Sequence, residues 1–279
     1  MIVDGNNVIA HYLKNNIPLA AGKIGGTEIK LLQSCFDIGV LGVNIPIELQ
    51  KEAEEVSGLY PCDKATVRKF SEEFVTRLPE MDLMPLWWRA NPAFEKHIFD
   101  TFCPKTFQTQ LQHLEPYFFE KPWTNQLEGK TVLVFSPFAE SIERNFKNLD
   151  KIWNNKIKPN FKLKAFYYPF AIPINSEAKQ KYGTSQKIFG EYTDLLRSEI
   201  FDVGIFGTGH TSLFFVTECK RLGKAGIHLG GSTQILFGVK GQRWREIQQF
   251  QPFFNEYWTD PLEREKPDLR FLVEGGAYW

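Results

Sequence analysis

Cysteine is scarce and scattered in this chain. Cys35, Cys62, Cys103 and Cys219 lie far apart with no C-x-x-C pair, which excludes a zinc ribbon and a disulfide framework and leaves reduced thiols, as expected of a cytoplasmic protein. No apolar run approaches the length of a membrane span. The N-terminal stretch "MIVDGNNVIAHYLKNN" has an early Asp and no long apolar core, so it does not read as a signal peptide. Charge of one sign is absent too. Lys and Arg number 33 against 33 Asp and Glu, and the basic residues form no long block, which gives no electrostatic support to a nucleic-acid or anionic-membrane role. A phosphate needs only two or three cations, so a local pocket for one stays open. There is no G-x-S-x-G elbow, which sets Ser/His/Asp hydrolysis aside. Neither a fixed-period repeat nor a low-complexity segment is present.

What is present is a globular composition over 279 residues, with 43% hydrophobic and 24% charged side chains. Aromatics are abundant: 25 Phe, 9 Tyr and 7 Trp. Most are expected in a Phe-rich core, while some Trp and Tyr have the ring faces to line a carbohydrate or nucleobase site. Trp87 and Trp88 are candidates for such a platform, with a buried aromatic cluster as the plainer alternative.

From residue 130 the pattern alternates strand and helix. "KTVLVFSPF", "LKAFYYPFAIP", "FDVGIFGTG" and "KAGIHLGG" read as strands. "AESIERNFKNL", "SQKIFGEYTDLLRSEI" and "TSLFFVTECKRLG" carry apolar residues at helical spacing. Such alternation predicts an α/β fold, a mostly parallel sheet flanked by helices and Rossmann-like in character. Residues 1–125 are harder to read as β-α units. They offer a short strand in "IPLAAGKIGG", a helix in "TEIKLLQSCF", polar helices over 48–57 and 65–77, and a Pro-punctuated aromatic stretch. The expectation is a single domain: a helix-rich part over 1–125, a Rossmann-like nucleotide-binding part over 126–250, and a tail over 251–279 that wraps the surface.

In parallel sheets ligands bind beyond the carboxyl ends of the strands, and here those ends are small, polar and glycine-rich. "GTGHTS" supplies Gly207, Thr208, Gly209 and His210. Its glycines permit close backbone approach to a ligand, and the helix that follows aims free amides at an anion; a plain turn capped by Thr211 or Ser212 is the alternative. "SPFAES" places Ser136 at a strand end and Glu140 and Ser141 at a helix start, to cap it or to meet a phosphate. "GGSTQILFGVKGQRW" supplies Gly230, Gly231 and Gln234, then the cations Lys240 and Arg243, a set suited to a diphosphate unless the cations are solvated surface groups. "GKIGGTE" gives Gly25, Gly26, Thr27 and Glu28. Glu28 suits a helix N-terminus, and a carboxylate there can also contact a sugar hydroxyl, help hold a metal or act as a base. His210 and His228 are alternative acid-base groups.

"AAGKIGGTEIKLL", "KTVLVFSPFAESIERNF" and above all "DVGIFGTGHTSLFFVTECKRLGKAGIHLGGSTQILFGVKGQRW" resemble bacterial glycosyltransferases of the GT-D fold and related proteins of polysaccharide biosynthesis. Residues 40–125 match only loosely. The resemblance implies a nucleotide-sugar donor bound by a Rossmann-like sheet, and transfer of its sugar to a glycan acceptor of a surface polysaccharide or glycoprotein. If that acceptor is lipid-linked, it also implies peripheral contact with a membrane. The family's N-terminal motif reads R-x-G-D-G-E, with its Asp and Glu serving donor or metal binding. Here the same place reads Lys23-Ile-Gly-Gly-Thr-Glu28, so the Glu is kept, Arg becomes Lys23 and Asp becomes Gly26. Glu28 is then the expected catalytic group, the other residues named above line the donor, and a divalent metal, Mn²⁺ or Mg²⁺, is left open. A nucleotide-sugar-binding pseudoenzyme is the second reading, on the strength of Gly26. An NAD-dependent oxidoreductase is the third, weakened because the glycine turn comes late and His228, not an acid, ends the next strand.

Overall fold

A computed structural model describes residues 2–36, 45–87 and 90–279. Seven parallel strands form one sheet: β1 (Leu19–Ala21), β2 (Leu83–Pro85), β3 (Phe107–Thr109), β4 (Thr131–Ser136), β5 (Lys162–Tyr167), β6 (Val203–Phe206) and β7 (Ala225–His228), in the order β3-β2-β1-β7-β6-β4-β5. The fold is therefore α/β and Rossmann-like, with helices on both faces. Three of the strands come from the first 125 residues. Of these the sequence pattern predicts β1 alone; β2 and β3 are three residues long, too short to show a period of two.

Side-chain alternation along each strand splits the interior into two cores. On β4, Val132 and Val134 enter one, and Leu133 and Phe135 the other. The first core takes the apolar faces of helices Gly5–Lys14 and Ala139–Phe146. The second takes those of helices Gly26–Phe36, Lys64–Arg77, Ser185–Ser198 and Ser212–Arg221. The phenylalanines are concentrated here. Phe135 alone meets Phe166, Tyr192, Phe206 and Phe215 edge-on, with ring centroids 5.2–6.0 Å apart. Each such pair is worth about 0.5–1.5 kcal/mol beyond its buried area. Local signals set the helix starts. Asp63 accepts from the Thr66 amide at 2.8 Å and Asn91 from the Phe94 amide at 3.1 Å.

The chain leaves β4 through helix Ala139–Phe146 on one face and leaves the neighbouring β6 through helix Ser212–Arg221 on the other. Divergent connections of this kind open a crevice above the sheet's carboxyl edge. Helix Ser212–Arg221 presses directly on β7, because Gly226 has no Cβ. One placed there would stand 2.6 Å from Val216 Cα and 2.8 Å from its carbonyl oxygen.

Gly226→Ala is accordingly expected to cost about 1–3 kcal/mol by overpacking. Gly190→Ala, in helix Ser185–Ser198 with nothing within 4 Å of the added methyl, should gain about 0.5–1 kcal/mol. Urea titration of both variants checks the pair, and equal midpoints would refute the packing argument.

Candidate functional site

A cleft of about 370 Å³ lies over the carboxyl ends of β1, β2, β4, β6 and β7. The loop after β1 supplies Lys23 and Gly25, the start of the helix that follows supplies Gly26, Thr27 and Glu28, and the end of β4 supplies Ser136. The turns after β6 and β7 bring Gly207 and Gly209, then Gly230, Gly231 and Gln234, with Arg243 further along. Segments far apart in the chain thus share one volume, of a size usual for small-molecule sites.

Glu28 stands in the first turn of helix Gly26–Phe36 and is 7% exposed. Its Oε1 accepts from Ser57 Oγ at 2.5 Å, and its Oε2 lies back over Gly25, where a Cβ would overlap it. Burial pushes the carboxyl above its ordinary value, against the opposing pull of the Ser57 hydroxyl and Lys23. Thr27 Oγ1 donates to Glu52 Oε1 at 2.8 Å, and Lys30 pairs with the same carboxylate at 2.7 Å.

Lys23 is half-buried beside the Trp87 ring, 5.4 Å from its centroid. Trp87 is itself held by its indole N–H, which donates to the Ile24 carbonyl at 2.9 Å. Burial lowers the Lys23 pKa, while Glu115 and Glu28 act to raise it. The other cleft cations are engaged, Lys30 with Glu52 and Arg243 with Glu274. Lys23 has no ion-pair partner among the described residues, so it is the cation open to an anionic ligand.

His228 closes β7. Its Nδ1 lies 3.0 Å from the Lys23 carbonyl, which can only accept, so Nδ1 carries the hydrogen and Nε2 keeps its lone pair for the cleft. Burial, then the nearby Lys23 ammonium, push its pKa down to about 3, and the ring is neutral throughout the physiological range.

Several predicted site residues lie elsewhere. His210 is buried away from the cleft, with Nδ1 donating to the Ser57 carbonyl at 2.9 Å and its ring against Phe70. Burial depresses its pKa to about 4. Thr208 is buried, its hydroxyl 2.9 Å from Ser212 Oγ, which also accepts the Thr208 amide. Glu140 and Ser141 start their helix, but its free amides are already satisfied by this chain. The Glu265 carboxylate accepts from the Glu140 and Ser141 amides at 3.0 and 3.1 Å, and from the Ser141 hydroxyl. The anion position at that helix end is thereby filled from the tail. Lys240 does not line the cleft, and its ammonium sits 5.8 Å from the Phe254 ring centroid.

Other lining residues carry weak sequence signals. Ser57 follows helix Ile47–Glu52 through a π-helical turn, Ala53–Ser57, a geometry frequent at functional sites. The tail returns to the site. Glu274, Tyr278 and Trp279 form one wall, with the Arg243 guanidinium 5.0 Å from the Tyr278 ring centroid. Of the two tryptophans proposed as a platform, Trp87 lines the cleft and Trp88 lies outside the described residues. Gln234 donates from Nε2 to three carbonyls, those of Val239, Lys240 and Tyr278. Its buried Oε1 is left with no partner among the described residues.

Each cleft carboxylate already has a partner: Glu28 with Ser57, Glu52 with Lys30, Glu274 with Arg243. Among the described residues no group of three or more His, Cys, Asp or Glu gathers to hold a metal. No helix among the described residues is long and apolar enough to cross a membrane. Comparison with family models, with curated proteins and with solved structures finds no match.

The buried imidazoles set a pH dependence. Between its ordinary 6.5 and about 4, His210 takes up a proton in the unfolded chain that the folded chain refuses. Stability contributed this way falls as pH drops through that window, by up to about 1.4 kcal/mol per pH unit. His210→Asn removes the titration while leaving a side-chain donor. Urea midpoints across the same window should show a shallower pH slope for the variant than for wild type; an unchanged slope would overturn the assignment.

Proposed function

We propose that the protein is a glycosyltransferase of the GT-D kind, which transfers a sugar from a nucleotide-sugar donor to a glycan hydroxyl in surface polysaccharide or glycoprotein glycan synthesis. The observation that carries this reading is the pairing in one cleft of Glu28, a buried carboxyl with a raised pKa, and Lys23, the cation open to an anion. A Rossmann-like sheet supplies the crevice, and the glycine turns at Gly207 and Gly230 keep its floor low.

In the proposed reaction the acceptor oxygen attacks the donor's anomeric carbon as the bond from that carbon to the diphosphate oxygen breaks. The nucleoside diphosphate departs with the bonding electrons, its charge met by Lys23. The hydroxyl proton passes to the Glu28 carboxylate. A carboxyl raised by burial is a stronger base than a solvated one, which suits it to that transfer.

A second reading has its own observation. Gly26 stands where the resembling family has Asp, and a cleft short of one carboxylate can hold a donor without turning it over. Thermal-shift titration with UDP-, GDP-, dTDP- and CMP-sugars, with and without Mn²⁺ or Mg²⁺, and with NAD(H) and NADP(H) alongside, tests donor binding. A nucleotide sugar at 100 times its dissociation constant adds about 2.7 kcal/mol to stability. Glu28→Gln should retain that shift, melt no lower than wild type because a buried charge is removed, and lose transfer by at least about 100-fold. Binding without transfer in the wild type would establish the pseudoenzyme, and a shift with NAD(P)(H) alone would overturn both readings.

A further inference from the structure

A second cleft, of about 420 Å³, opens beside the first, and Pro137, Phe170 and Trp279 belong to both walls. The two volumes are neighbours separated by ring edges and a proline. Tyr167, at the end of edge strand β5, forms part of the far wall and is 46% exposed. Its hydroxyl accepts from Asn175 Nδ2 at 2.7 Å, which holds the ring in place. Trp279 is held likewise, its indole N–H donating to the Glu265 carbonyl at 2.7 Å.

The chemistry of this lining is specific. Two anchored aromatic rings stand among short polar side chains, Asn175 and Ser176, and the acids Glu177 and Asp268. Three cations share the wall: Arg264 pairs with Glu140, Lys266 pairs with Glu263, and Lys179, without an ion-pair partner among the described residues, lies 5.8 Å from the Tyr60 ring centroid. A polyanion would meet the two acids Glu177 and Asp268 and a single unpaired cation. A neutral sugar chain offers what such a wall recognises: apolar C–H faces for the rings and hydroxyls for the amide, hydroxyl and carboxylate groups.

We propose that the second cleft is a subsite for a neutral oligosaccharide acceptor, laid over Tyr167 and Trp279 with its reactive end passing Phe170 into the Glu28 cleft. The role as acceptor rests on the glycosyltransferase reading, whereas the affinity for glycan does not.

Saturation-transfer NMR on the full chain, with maltotetraose, cellotetraose, chitotetraose and mannotetraose as probes, tests the site. At least one probe should bind the wild type. Tyr167→Ala should weaken that probe by about 3- to 10-fold, the effect of losing one stacked ring, and Tyr167→Phe should restore most of the binding. Tyr167 lines only the second cleft, so nucleotide-sugar thermal shifts should be unchanged in both variants. If all four probes fail to bind, or bind equally well to Tyr167→Ala, the subsite is overturned while donor binding stands on its own measurement. If Tyr167-dependent glycan binding is found and every nucleotide sugar fails, the glycan site holds and the transferase reading falls.

Discussion

Ser57 is the residue on which the cleft's geometry depends. Its hydroxyl donates to Glu28 after β1, and its carbonyl accepts from His210 after β6. Gly209, with φ +60°, comes so close to that carbonyl that a Cβ would overlap it. One residue at the end of a π-helical turn thus fixes the candidate base against the glycine turn two strands away. A loop pinned at both of its polar atoms cannot relax when either partner moves, which is how a carboxyl stays oriented in a site where burial opposes its charge.

The same economy governs the rest of the rim. Gly207 packs against the Gly230 carbonyl, with 2.8 Å available to an added Cβ, so the turns after β6 and β7 form a single low floor. The glycine pattern that invites a phosphate reading therefore has a packing cause as well as room for a ligand. Around that floor the charges are arranged unequally. Lys30 and Arg243 are matched by Glu52 and Glu274, and Lys23 is left beside an indole face. Electrostatic attraction for an anionic ligand is in this way concentrated at one point of the cleft, at the end of β1.

The tail contributes more than cover. Glu265 fills the helix end after β4, Trp279 hangs from the Glu265 carbonyl, and Glu274 holds Arg243. These contacts make the last fifteen residues a wall shared by two adjacent clefts, on the side of the sheet where strands β4 and β5 end. In the proposed reaction one wall would then face both the donor and the acceptor.

Much of this architecture is legible in the sequence. The alternation of apolar runs and helical stripes after residue 130 defines β4 to β7 and their helices, because strands of four to six residues and helices of eight or more carry a readable period. The rule that ligands gather at strand ends then brings Glu28, Ser136, Gly207, Gly230 and Gln234 to one place. Other features only the tertiary structure decides. Strands β2 and β3 are too short to announce themselves, and their place in the sheet comes from the pairing of β2 with β1 and of β3 with β2. His210 and Thr208 follow a glycine turn as ligand residues do, yet each meets a buried partner first. Ser141 starts a helix as a phosphate ligand would, but the carboxylate it meets lies 124 residues away in the chain. Local sequence determines which groups can bind an anion or a proton; whether the chain's own side chains satisfy them is set by contacts between distant segments, which no local pattern encodes.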